Sequence, residues 1–126
     1  MILDKELTAA EAKKEKYANF HKWLKDNGAH YPKVEYPAIY KYGSDGLLGV
    51  ACTEEIAPYE TILYVPNKCM ISTATARNSE IAEIYRQFED LFVANHDRDF
   101  LTLVLYLMYE RTKGKESFFH PYFEVA

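Results

Sequence analysis

Three glycines fall within seven positions of the sequence, at Gly43, Gly46 and Gly49. They lie between runs of aromatic, aliphatic and β-branched residues, in the segment Tyr-Gly-Ser-Asp-Gly-Leu-Leu-Gly-Val-Ala at 42–51. Glycine tolerates positive φ and lets another group approach the main chain closely. The segment therefore predicts two strands joined by a sharp turn, with exposed main-chain N–H and C=O groups at the bend. Such groups suit the binding of a polar small molecule, and they also suit a plain hairpin.

The elements around this turn predict a small, mainly antiparallel sheet. The predicted strands are Ala38–Tyr42, Gly49–Thr53 and Thr61–Val65. The third has the strongest pattern, because it is rich in β-formers and Pro66 stops it. Before the sheet, apolar spacing from Leu7 to Leu24 predicts one helix.

That first helix carries signals at both ends. Thr8 and Glu11 have the spacing of a capping box. Asn27-Gly28 predicts its end, because glycine readily adopts the left-handed conformation there.

After the sheet the pattern is helical again. We expect one helix capped by Ser72 or Thr73, a second capped by Ser79, and a third, Phe100–Thr112, capped by Asp99. The third is apolar nearly all round, which predicts burial on most sides. Gly114 should end it, and an irregular aromatic stretch, 117–123, comes next. The fold class predicted is α+β.

Composition excludes several function classes. The chain has 126 residues, 48% hydrophobic and 27% charged, with a formal net charge of −4. It lacks the clustered Lys and Arg that nucleic acids or anionic membranes require. Neither Cys52 nor Cys69 lies in a metal-binding motif, and the four histidines are dispersed, so we predict no metal site. The start of the chain has no signal-peptide pattern, and we expect a soluble cytoplasmic or nuclear protein.

Four stretches, in this order, resemble the N-terminal part of SET-domain protein methyltransferases. The resemblance is to the subgroup that includes the Rubisco large-subunit lysine methyltransferases and the actin-histidine methyltransferase. The stretches are Phe20-His21-Lys22-Trp23-Leu24 with Asn27-Gly28-Ala29; Asp45-Gly46-Leu47-Leu48-Gly49-Val50-Ala51; Glu60-Thr61-Ile62-Leu63-Tyr64-Val65-Pro66 with Met70-Ile71-Ser72; and Leu101 to Glu110 with Lys113-Gly114-Lys115-Glu116-Ser117-Phe118-Phe119-His120-Pro121-Tyr122.

The resemblance implies a partial SET domain. Residues 1–37 would form an N-terminal helix and linker, and 38–126 the front of the SET domain with the start of its helical insert. It also implies S-adenosylmethionine as cofactor, with Asp45, Gly46 and Leu47 in the segment that holds it. The family uses a basic residue near the cofactor carboxylate, for which Lys13 is a candidate, although a solvated surface lysine is the favoured interpretation.

The sequence departs from the family both within the glycine turn and after it. The family turn commonly reads Glu-Gly-Leu/Phe-Gly, whereas here Asp45 replaces the glutamate and Leu48-Gly49 comes after Leu47. The family's Asn-His motif and catalytic tyrosine come later than any residue of this chain. Asn95-His96 precedes the leucine-rich helix and is interpreted as unrelated to that motif, so no catalytic residue is assigned.

Two functions remain open at this point. One is the N-terminal portion of a protein lysine or histidine N-methyltransferase, inactive as an isolated chain. The other is a truncated, non-catalytic SET-like module that serves as an interaction or structural subunit. The expected partner is a protein substrate or another chain, and the aromatic stretch at 117–123 could mediate self-association.

Overall fold

The computed structural model describes all residues 1–126 and confirms an α+β chain with an antiparallel sheet of three strands and seven α-helices. The chain divides into two compact units, one mainly Met1–Pro66 and the other mainly Asn67–Glu124. We call them the N-terminal unit and the C-terminal unit. The division predicted at residue 37 refers to the domain plan of the SET family and stays a prediction.

The N-terminal unit contains the whole sheet and two helices. In chain order these are β1 (Ile2–Leu3), α1 (Lys5–Ala12), α2 (Glu15–Asp26), β2 (Val34–Tyr42) and β3 (Asp45–Cys52). The spatial order is β1-β2-β3, and both pairs are antiparallel. The predicted hairpin is confirmed, with longer strands than expected and a bend of only Gly43 and Ser44.

The single helix predicted from Leu7 to Leu24 is wrong, because α1 ends at Ala12 and Lys14 is extended. Asp4 caps α1 instead of Thr8, accepting a hydrogen bond from the Leu7 N–H at 3.0 Å. Glu11 does not form the predicted capping box. Its carboxylate accepts a hydrogen bond from Tyr17 at 3.0 Å and pairs with Lys14 at 2.7 Å. Glu11 therefore ties the end of α1 to the start of α2.

The strand predicted at Thr61–Val65 is also wrong. Only Tyr64 of this segment pairs with another main chain, through two hydrogen bonds with His30 at 2.9 and 2.8 Å. The third place in the sheet belongs to β1, because Ile2 and Leu3 pair with the free side of β2. High β propensity does not by itself create a strand, since a strand needs a neighbour with matching register.

The C-terminal unit is built from five α-helices. They are α3 (Thr73–Arg77), α4 (Ala82–Gln87), α5 (Glu89–Phe92), α6 (Arg98–Thr112) and α7 (His120–Val125), with 3₁₀ turns at Asn67–Cys69 and Gly114–Glu116. The cap predicted at Ser72 is confirmed, because its hydroxyl accepts a hydrogen bond from the Thr75 N–H at 3.2 Å. The single helix predicted after Ser79 is wrong, since the chain breaks at Phe88 between α4 and α5.

Helix α6 starts and ends close to the predicted positions. The prediction that it is buried on most sides is wrong, because one of its faces is exposed. Asp97 is the N-cap in place of Asp99, and Gly114 lies just after the helix with φ +56°, as predicted for its end. The aromatic stretch after it is not irregular throughout, because α7 begins at His120. The helices of this chain are too short or too polar for any of them to cross a bilayer.

Candidate functional site

The β2–β3 hairpin places the predicted cofactor-binding residues at the start of strand β3, directly after the bend. Gly43 has φ +59°, a conformation that favours glycine, and Tyr42 lies opposite Asp45. Asp45, Gly46 and Leu47 are all exposed. They belong to strand β3 and not to the bend itself, because the second strand begins at Asp45 and not at the predicted Gly49.

Close packing, and not turn geometry, accounts for two glycines of β3, and the packing is tighter at Gly46 than at Gly49. A Cβ on Gly46 would lie 2.7 Å from Cγ2 of Ile39, which real Cβ atoms do not tolerate. A Cβ on Gly49 would lie 3.2 Å from the Tyr40 ring. Each glycine therefore makes room for a β2 side chain that crosses diagonally over it.

The main-chain groups that remain open lie along the outer edge of β3. Ile39 directs its C=O to the Asp4 N–H at 2.7 Å and its N–H to Thr8 Oγ1 at 2.8 Å, both away from β3. Its cross-strand neighbour Leu48 must then direct its own N–H and C=O away from β2. The same alternation applies to Gly46. Because β3 is an edge strand, these groups can bind a ligand or another strand.

A second concave feature of the N-terminal unit is a cleft of about 640 Å³. Its lining residues are His21, Lys25, Ala29, His30, Tyr31, Pro32, Val34, Glu35, Tyr36 and Thr53. The volume lies in the range of small-molecule sites. Sequence reasoning missed this cleft, because its residues come from helix α2, a linker, strand β2 and the residue after β3, without any common spacing.

His21 is held at one side of this cleft by both ring nitrogens. Nε2 lies 2.6 Å from the carbonyl oxygen of Tyr36, which can only accept, so Nε2 carries a hydrogen. Nδ1 lies 2.7 Å from the Tyr31 hydroxyl and accepts from it when the ring is neutral. Burial raises the pKa of that hydroxyl, which keeps it a donor. With both nitrogens engaged, His21 organises the cleft wall and has no free nitrogen for a ligand.

Other candidates from the sequence do not join either feature. Lys13 is the C-cap of α1 and is exposed. Asn95 has a local role, since its side-chain oxygen accepts a hydrogen bond from the Asp97 N–H at 2.9 Å in the turn before α6.

The C-terminal unit contains a buried polar cluster around Glu110. The carboxylate accepts hydrogen bonds from Ser117 at 2.7 Å and Lys113 at 2.9 Å. Burial raises the pKa of Glu110, but these hydrogen bonds outweigh burial and the net pKa is lowered. Burial and the nearby Glu110 raise the pKa of Tyr106 to about 12. The cluster joins α6 to the turn before α7, and every polar group in it has a partner, which is typical of a structural network.

Sequence comparison gives the chain relatives of known activity. No protein-family model matches it. Actin-histidine N-methyltransferase from Dasypus novemcinctus is 30% identical over 115 residues, which is 90% of this chain and 18% of that protein. The chicken enzyme is 31% identical over 103 residues, 82% of this chain and 16% of that protein, and the human enzyme 29% over 115 residues.

This similarity supports a methyltransferase family. The chain spans less than a fifth of the length of the relatives it matches.

Proposed function

We propose that the chain is the N-terminal portion of an S-adenosylmethionine-dependent protein N-methyltransferase of the SET type, acting on a lysine or histidine side chain. The observation that carries the proposal is the similarity to actin-histidine N-methyltransferases along 90% of the chain. The glycine hairpin in an α+β unit agrees with the resemblance of the sequence to that class. Such a protein would act in the cytoplasm or nucleus.

The hairpin fits the head group of such a cofactor. The open N–H and C=O groups at Gly46 can pair with a carboxylate and an ammonium, and no Cβ stands in the way. Asp45 adds an exposed carboxylate beside them, and Leu47, 46% exposed, adds an apolar contact. We assign these three residues to cofactor binding.

When bound, the cofactor supplies an electrophilic methyl group on a sulfonium. The residues of this chain would orient that group, and a deprotonated nitrogen of the protein substrate would be the nucleophile, so catalysis would rest on positioning. We assign no catalytic residue to this chain, and we propose that it transfers no methyl group by itself.

Binding can be tested by titrating the ¹⁵N-labelled chain with S-adenosylhomocysteine and following the amide signals. We expect weak binding with shifts centred on 45–48, and loss of those shifts in Leu47→Asp. Val50→Asp is the matched control on the same strand, because Val50 is 57% exposed and lies outside the assigned residues. Shifts centred elsewhere would refute the assigned site.

Activity can be tested with radiolabelled S-adenosylmethionine and purified actin, the substrate that the relatives' name indicates. We expect no transfer by the 126-residue chain. Transfer by the chain itself would overturn its proposed inactivity. Sequencing the transcript beyond Ala126 tests the larger proposal, which predicts an apolar-Asn-His-Ser stretch and then a tyrosine; a stop codon there would contradict it.

A further inference from the structure

Helix α6 has polar side chains on its buried face and apolar side chains on its exposed face. Thr102, Tyr106 and Glu110 are 0%, 4% and 4% exposed. Phe100, Val104 and Met108 are 69%, 36% and 62% exposed. Each set repeats every four residues, and a shift of two residues turns the helix by about 200°, so the two sets lie on opposite sides.

Two charged residues extend the exposed apolar set at its ends. Asp97 and Arg111 are exposed, and seven residues separate each of them from Val104. Because seven residues complete nearly two turns, both charges lie on the same side of the helix as Val104. We call Asp97, Phe100, Val104, Met108 and Arg111 the α6 stripe. Along the helix, the stripe consists of an acidic residue, three apolar residues and a basic residue.

The stripe is symmetric about Val104 in its spacing and complementary in its chemistry. Phe100 and Met108 are each four residues from Val104, and Asp97 and Arg111 are each seven. An antiparallel copy of the same stripe would therefore place Asp97 opposite Arg111, Phe100 opposite Met108, and Val104 opposite itself. A two-fold axis requires this kind of self-complementary surface.

We propose that the α6 stripe is a self-association surface, on which a second copy of this chain binds in antiparallel orientation through its own stripe. Pairing would remove three large apolar side chains from water on each copy. The Met108 thioether would contact the Phe100 ring of the second copy, a favourable pair. The end charges would attract across the interface and fix both register and direction.

The antiparallel arrangement also suits the helix ends. Asp97 and Asp99 lie at the N-terminal end of α6, and Arg111 lies in its last turn. In an antiparallel pair, the acidic end of each helix lies beside the basic end of the other. A stripe of this size buries little surface, so the dimer should be weak and depend on protein concentration. The stripe touches the aromatic stretch at 117–123 at one end, because the Arg111 guanidinium lies 5.6 Å from the centroid of the Phe123 ring. The role of that stretch in self-association stays a prediction.

Sedimentation velocity of the 126-residue chain over a wide concentration range tests the dimer. We expect a reversible monomer–dimer equilibrium. Val104→Lys would place two like charges on the axis and raise the dissociation constant at least about tenfold. Val50→Lys is the matched control, since it makes the same change at an exposed valine of β3 and should leave the equilibrium unchanged.

Charge reversal tests the antiparallel register without touching the apolar residues. Asp97→Arg alone and Arg111→Asp alone should each weaken self-association, because like charges then meet at both ends. An equimolar mixture of the two variants should associate again, since each end now pairs opposite charges. Circular dichroism of every variant would verify that α6 still folds.

Each alternative outcome refutes the proposal. A chain that stays monomeric throughout has no such surface. A dimer that survives Val104→Lys uses another surface, and one that is lost in Tyr122→Lys instead would point to the aromatic stretch. A mixture of the two charge variants that associates no better than either alone would exclude the antiparallel register.

Discussion

The two units of this chain hold their buried polar groups through partly different contacts. In the N-terminal unit, the central contacts involve main chain, as where Ile39 bonds to Asp4 and Thr8, or where a β2 side chain crosses Gly46. In the C-terminal unit, the buried Glu110 carboxylate accepts from two side chains, Ser117 and Lys113, while the buried Tyr85 hydroxyl donates to the main-chain oxygen of Thr102.

This difference affects the surface that each unit exposes. The N-terminal unit presents a strand edge with open N–H and C=O groups, which suits a polar ligand. The C-terminal unit buries polar side chains along α6 and exposes apolar ones, which suits a protein surface. We therefore propose a small-molecule role for the first unit and a protein-contact role for the second. Changes at four positions would test the physical basis of this difference.

The largest effect should come from Glu110→Ala in the side-chain cluster. This change leaves Ser117 and Lys113 without their buried acceptor, and we expect the chain to lose about 3 kcal/mol of stability. Urea unfolding monitored by circular dichroism measures it. Glu116→Ala is the control, because Glu116 is exposed. Equal stability of Glu110→Ala and the wild type would show that the cluster is not structural.

Gly46→Ala should have the next largest effect, and in the other unit. The new Cβ would lie 2.7 Å from Ile39 Cγ2, and we expect a loss of about 2 kcal/mol. Ser44→Ala in the bend should be nearly neutral. If Gly46→Ala were neutral too, the diagonal packing of Ile39 would not be the reason for this glycine.

Thr8→Val removes the side-chain acceptor of the Ile39 N–H while keeping the shape of the residue. Thr8 is 4% exposed, so the lost bond should cost about 1–2 kcal/mol. Thr8→Ser keeps the hydroxyl and should lose less. Chemical denaturation of the two variants measures the difference in stability. If Thr8→Ser were the less stable variant, the hydroxyl of Thr8 would not be the group that stabilises the Ile39 N–H.

The pH dependence of unfolding should show the lowered pKa of Glu110. Its contribution to stability is complete above the ordinary glutamate value of 4.5 and declines as pH falls through the lower folded-state pKa. Thermal melts between neutral and acidic pH should therefore show a steeper acid loss for the wild type than for Glu110→Gln. Identical pH profiles would mean that the folded protein does not lower this pKa.

The smallest effect should come from Phe100→Ser on the exposed face of α6. Because Phe100 is 69% exposed, we expect a change within about 0.5 kcal/mol in the monomer. Melting at low protein concentration, where dimers are not populated, isolates that value. A large loss of stability would show that Phe100 packs within its own chain. Helix α6 would then not have apolar side chains on its exposed face as described.

The sequence predicted some elements well because their signals are local. The end of α6 at Gly114, which has a positive φ, and the helix cap at Ser72 depend only on neighbours within a few residues. Both predictions were confirmed. The α+β class and the antiparallel hairpin were predictable from residue types and their period. The cofactor assignment of Asp45, Gly46 and Leu47 came from resemblance and stays a proposal.

Local sequence signals could not predict which distant segments contact each other. Thr61–Val65 has the composition of a strand, yet the third sheet position went to Ile2 and Leu3, because strand formation depends on which edge is available. The apolar sequence of α6 could not reveal that Thr102 and Glu110 would be buried while Phe100 stayed exposed, since the exposed face depends on where the partners of each polar group lie. The sequence by itself determined the hairpin turn, the cap at Ser72, the end of α6 at Gly114 and the class of the fold. Only the tertiary structure decided strand partners and exposed faces, because both depend on contacts between distant residues.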